Sequence, residues 1–157
     1  MNALTSAYVA RISAATPLQL IIINYELIMH NLHVAKEDCE KEEYDEFERH
    51  IRKAQRYLMV LMESLDLTFE VAHELMNLYL YANRMMIKSM FKRQPELVCD
   101  ACDMLGSLLD SWRMLERAQP KDAPVMDNVE QLIAGMTYRD GKLSEYVLGG
   151  ENRGIMA

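Results

Sequence analysis

Three groups of side chains have the types and spacing that site chemistry uses. Glu70-Val71-Ala72-His73 has the Glu-x-x-His spacing found in di-metal bundles, where two helices each supply that pair and two more each supply a glutamate. Glu26 and His30 stand one helical turn apart and could chelate an ion on one face. Cys99-Asp100-Ala101-Cys102 has dithiol redox spacing, and Cys39 adds a third soft zinc ligand. None of these is complete. The Glu-x-x-His pair has no second copy, and in the first turn of a helix Glu70 has a simpler use, offsetting the positive end of the dipole. No acid–histidine pair matches Glu26 and His30 at an equivalent level. The thiols lack a fourth ligand, and a thioredoxin-like dithiol needs a strand-turn-helix context that this sequence does not offer. His30, His33 and His50 are read as polar groups on helix surfaces. With no Gly-rich phosphate loop, no Ser/His/Asp arrangement and no carboxylate pair in an evident cleft, we expect no catalytic residue, no metal and no cofactor.

Composition points to binding rather than catalysis. The chain has 157 residues, 50% apolar and 26% charged, enough for one globular domain with its own core. Its formal charge of −7 opposes nucleic-acid or anionic-membrane partners, which are held by clustered Lys and Arg. The N-terminus carries no basic stretch followed by a long apolar core, and the run around Leu20 to Ile23 is too short to span a bilayer. Three cysteines suit a reducing compartment better than a disulfide framework. A cytoplasmic protein is the expectation.

The elements that would position a binding surface are helices. Thr16-Pro17 reads as a start signal, a capping hydroxyl followed by proline at the first helical position. Apolar residues then recur in steps of three and four at Leu18, Ile21, Tyr25, Ile28, Leu32 and Ala35, until the acidic stretch from Glu37 to Glu43 breaks the pattern. A second seam follows at Tyr44, Phe47, Ile51, Ala54, Leu58, Leu61 and Leu65. After a turn at Asp66 in which Thr68 is expected to cap, a third runs through Phe69, Ala72, Met76, Tyr79, Asn83, Met86 and Met90. Pro95 opens a fourth, with Val98, Ala101, Leu105, Leu108, Trp112 and Leu115, fading near Pro120. Four such helices with short connections predict an all-α, antiparallel up-down four-helix bundle over residues 16–119. Residues 1–15 form an amphipathic arm with Leu4, Tyr8 and Ile12, and residues 120–157 a flexible tail in which Val129, Leu132, Ile133 and Met136 suggest a short helix.

A bundle helix should be polar away from its seam. The second and fourth helices obey, with Arg49, Lys53 and Arg56, and with Asp100, Asp103, Ser107 and Asp110, on their outer sides. The first and third do not. Leu20, Ile23 and Leu27 fall outward on the first, and Leu78, Tyr81 and Met85 on the third, flanked by Leu80 and Ile87. In an up-down square these two helices sit at opposite corners, so the expectation is two apolar stripes on opposite sides, covered by an extended partner that wraps the bundle.

The order Tyr8, Arg11-Ile12, Ala15-Thr16-Pro17, Leu20, Tyr25-Glu26, Lys53-Ala54-Gln55, Leu65-Asp66, Leu78-Tyr79-Leu80-Tyr81 and Trp112 resembles the FliS flagellin-export chaperones. Asn24 stands where that family usually has leucine. The resemblance implies a cytoplasmic chaperone that binds the disordered C-terminal segment of flagellin, prevents its premature polymerisation and assists delivery to a flagellar export-gate component. It also implies that Tyr8 and Ile12 lie near the binding surface. Two other readings stay open, a carboxylate-bridged metal bundle and a helical adaptor that self-associates through its outer stripes.

Overall fold

The computed structural model describes residues 3–119; residues 1–2 and 120–157, with the predicted tail and its short helix, lie outside the described residues. Five helices follow one another: α1 (Ala3–Ser13), α2 (Pro17–Glu40), α3 (Tyr44–Ser64), α4 (Glu70–Lys92) and α5 (Pro95–Ala118). The arm of the sequence reading is α1, and the four bundle helices are α2 to α5.

The helix boundaries have local chemical causes. At the start of α2, Gln19 N donates to Thr16 Oγ1 at 3.3 Å and Thr16 N donates to Gln19 Oε1 at 3.0 Å, a reciprocal capping box with Pro17 in the first turn. The acidic stretch does not end the seam at Ala35. The helix continues to Glu40 and buries Cys39, and the chain reverses at Glu42 with a φ of 60°. Thr68 does not cap α4: its N–H and hydroxyl both bond Asp66 Oδ1, and the N-cap position falls on Phe69. Arg93 closes α4 in the left-handed region at φ 50°, and its guanidinium lies 4.2 Å from the centre of the Tyr44 ring, tying the end of α4 to the start of α3.

The four long helices form an antiparallel square. α2 and α4 each border both α3 and α5 and stand diagonally across, while α1 folds back onto α2. Every predicted seam residue of α2 is buried, and so are Phe47 to Leu65 of the α3 seam. In α5 the inward step goes from Leu105 to Leu109, leaving Leu108 half-buried toward α4. The two diagonal helices meet at the centre, where the hydroxyls of Tyr25 and Tyr79 share a hydrogen bond of 2.5 Å and Trp112 packs beside Tyr25, ring centres 6.5 Å apart. Asn83, the polar residue of the α4 seam, accepts from Gln55 Nε2 at 2.8 Å.

A hydrogen bond that crosses the bundle couples helices that otherwise have little contact. Tyr25→Phe and Tyr79→Phe should each lower the urea unfolding free energy by about 1 kcal/mol, and the double variant should cost less than the sum.

Candidate docking surface

α2 and α4 both carry apolar residues outside their seams, yet the structure treats them differently. On α2, Leu20, Asn24, Leu27, Asn31 and Asp38 repeat in the three-four rhythm of a second seam, and all five are buried. This row faces α3, because Asp38 Oδ2 lies 2.8 Å from His50 Nδ1. A third row faces α5: a side-chain carbon added at Gly106 would sit 3.6 Å from Met29 Cε. Ile23, 1% exposed, lies in a cleft of about 560 Å³ walled by Arg11 and Ala14 on one side and by Arg113 and Arg117 of α5 on another. The outward placement expected for Leu20, Ile23 and Leu27 is therefore corrected. With a third neighbour along its first half, α2 is exposed only at the polar residues His30, His33, Glu37 and Glu40.

The third neighbour is held by charge as well as by packing. Arg11 Nη1 reaches Glu26 Oε2 at 2.6 Å, and Arg113 Nη2 reaches Glu26 Oε1 at 3.3 Å, so one carboxylate joins α1, α2 and α5. Ile12 is buried beneath this clasp, 3% exposed, and Tyr8 is half-buried with the Arg11 guanidinium 5.3 Å from its ring centre. Burial first, and the Glu26 charge second, push the Tyr8 phenol above its usual range. Hydrogen bonding to Glu26 raises Arg11 in turn.

α4 has no such third neighbour among the described residues. Leu78 is 37% and Tyr81 41% exposed on the side toward α5, and Met85, expected outward with them, is buried beneath. On the side toward α3 runs a second row that the sequence reading gave only as flanks. Leu80, Ile87 and Phe91 are exposed there, Phe91 at 85%, and Met59 of α3 is exposed across the groove. Phe91 and Met59 were missed. The signal for Phe91 was present, since 80, 84, 87 and 91 share one face of a helix; Met59 offered none, because a lone apolar residue on a polar helix face is ordinary. Met114 of α5 and Leu67 of the α3–α4 turn are exposed as well. The excess apolar surface thus gathers around α4 instead of lying on two opposite sides.

The groups considered for chemistry stay apart. Among the described residues, no three His, Cys, Asp or Glu side chains converge where they could hold a metal ion, and no helix is long and apolar enough to cross a membrane. Cys102 is partly buried, and burial together with Cys99 and Asp103 pushes its thiol up to about 11. A thiol so poorly ionised is a weak nucleophile.

These placements give two checks. Leu20→Glu puts a carboxylate into the α2–α3 interface and should cost more than about 3 kcal/mol in urea unfolding, whereas Leu78→Glu should stay within about 1 kcal/mol. Cys102 of the folded protein should react with iodoacetamide at pH 8 roughly 100-fold more slowly than an unperturbed cysteine, the ratio expected for a rise of about two pKa units, and should lose that protection in denaturant.

No curated protein matches the sequence at a significant level. The family model described as flagellar protein FliS matches residues 1–119, the whole of the described bundle and its arm. On that match, which covers well over half of the chain, this protein belongs to the FliS family of flagellar export chaperones for flagellin.

Proposed function

We propose that this chain binds the disordered C-terminal segment of flagellin in the cytoplasm, keeps it from polymerising prematurely, and assists its transfer to a component of the flagellar export gate. The observation that carries the reading is the apolar surface around α4. Leu78 and Tyr81 stand exposed beside α5, and Leu80, Ile87 and Phe91 beside α3, on a helix whose apolar residues are otherwise in the core. Exposed apolar rows of this kind are usually covered by something. A disordered segment that becomes helical on contact matches both their length and their spacing. Methionine and tyrosine adapt to several apolar side chains, which suits a client held only until export.

The arm belongs to the same proposal. Tyr8 and Ile12 lie on α1, beside α2, and Met114 is exposed on α5, the helix between α1 and α4. An extended client can run from α4 across Met114 to Tyr8 without leaving the protein. Leu20 and Leu27 are buried on the side of α2 turned to α3, and Ile23 lies behind α1, so none of the three offers a surface to it. The partner surface proposed is therefore Leu78 and Tyr81 over Met85, with Tyr8 at the far edge and Ile12 anchoring the arm.

Calorimetry with a flagellin C-terminal peptide tests this reading. The wild type should bind, and Leu78→Glu and Tyr81→Ala should each weaken binding at least tenfold while circular dichroism and unfolding stay near wild type. Absence of binding by the wild type, or full affinity in both variants, would contradict it. A stable dimer disrupted by the same substitutions, with no peptide binding, would assign the surface to a second copy of the chain.

A further inference from the structure

α4 carries its exposed apolar rows on either side of a line of cations. Counting about 100° per residue around the helix axis, Arg84 and Lys88 fall about 40° and 80° beyond Leu80, and Tyr81 falls about 100° beyond it. The two cations therefore stand between the row toward α3 and the row toward α5. Lys92 follows one turn after Lys88, so the line runs for about 12 Å along the axis. All three side chains are exposed.

Other cations of this acidic protein that border apolar surface are engaged. Arg49 pairs with Glu46 at 2.6 Å, Arg52 with Glu48 at 2.7 Å, and Arg11 and Arg113 share Glu26. Arg84, Lys88 and Lys92 make no ion pair among the described residues. Arg84 rests its guanidinium 5.9 Å from the centre of the Tyr81 ring instead. The acids of α4 itself, Glu70 and Glu74, stand at its other end, the nearer of them about 15 Å before Arg84 along the axis.

A helix laid over both apolar rows must pass directly above these cations. Covering them removes part of their water, which costs free energy unless an acceptor takes its place. An apolar or basic segment would leave the cations unpaired beneath it, whereas a segment with carboxylates between its apolar anchors would pair them. We propose that Arg84, Lys88 and Lys92 select the client: the segment that covers α4 is amphipathic and acidic, with its carboxylates spaced by helical turns along the ridge. This rests on the client reading above and adds which segments are accepted. Tyr81 takes a second part in it, because its ring holds the Arg84 guanidinium where a carboxylate lying beside the α5 row would meet it.

Calorimetry with the full chain and a flagellin C-terminal peptide at two salt concentrations tests the ridge. At about 20 mM salt, Arg84→Glu/Lys88→Glu should bind about tenfold more weakly than wild type, and at about 500 mM the difference should fall below about threefold, because screening removes the repulsion and leaves the apolar contact. Arg84→Gln/Lys88→Gln should fall between them. Lys41→Glu/Lys53→Glu, the same change in net charge placed off α4, should bind like wild type. Replacing the acidic residues of the peptide by their amides should weaken binding to wild type and cost nothing further in Arg84→Glu/Lys88→Glu. Wild-type binding that is indifferent both to salt and to amide replacement, with Leu78→Glu still defective, would overturn the selection and leave the client reading standing. No binding by the wild type would remove both. A wild-type dimer in sedimentation that Arg84→Glu/Lys88→Glu dissociates, with peptide affinity unchanged, would also overturn it, since the acids that meet the ridge would then belong to a second copy.

Discussion

A helix that is apolar on every side needs a neighbour on every side, and the form of this protein follows from how unevenly that need is met. The four-helix square gives each member two neighbours. α2 gains a third when the chain ahead of it folds back as α1 and is fastened by Arg11 and Arg113 on Glu26. α4 has only α3 and α5 among the described residues, so Leu78, Leu80, Tyr81, Ile87 and Phe91 remain in contact with solvent. At about 25 cal/mol per Å² of apolar area, rows of this size leave several kcal/mol for whatever covers them, before ordering costs are subtracted.

The close burial of α2 is not achieved with apolar residues alone. Asn24, Asn31 and Asp38 recur every seven residues along the face turned to α3. Asn24 and Asn31 donate from Nδ2 to carbonyls of their own helix, at Leu20 and Leu27, and Asp38 meets His50. Asn24 Oδ1 is buried with no hydrogen-bond partner in the structure, a cost that a leucine at this position would not carry. The polar row makes the α2–α3 pairing more particular in its register, because sliding α3 by one turn would take His50 away from Asp38.

Much of this was legible in the sequence. The four seams, the Thr16-Pro17 start and the Pro95 start are local patterns, and local patterns fix which residues of each helix turn inward. The number of neighbours is not local. Leu20-Asn24-Leu27-Asn31-Asp38 keeps the same rhythm as the first seam and so marks a second buried face, but an outward stripe and an inward one have the same periodicity. The choice between them rests on how closely α3 packs across that row, which no pattern within α2 shows. Thr68 failed as a cap for a related reason: Asp66, two residues earlier, offered its hydroxyl and amide a nearer acceptor. On the α4 side, Leu78 and Tyr81 came through as exposed, whereas Met85, only four residues further on, turned out to lie beneath them.

Apolar residues outside the seam are packed away on α2 and exposed on α4, where we propose that they bind the client. Methyl NMR of the full chain during titration with a flagellin C-terminal segment tests it most directly. The methyl signals of Leu78, Leu80 and Ile87 should shift first and furthest, while those of Leu20, Ile23 and Leu27 stay in place. Shifts concentrated at Leu20, Ile23 and Leu27, with the α4 methyls unmoved, would contradict it.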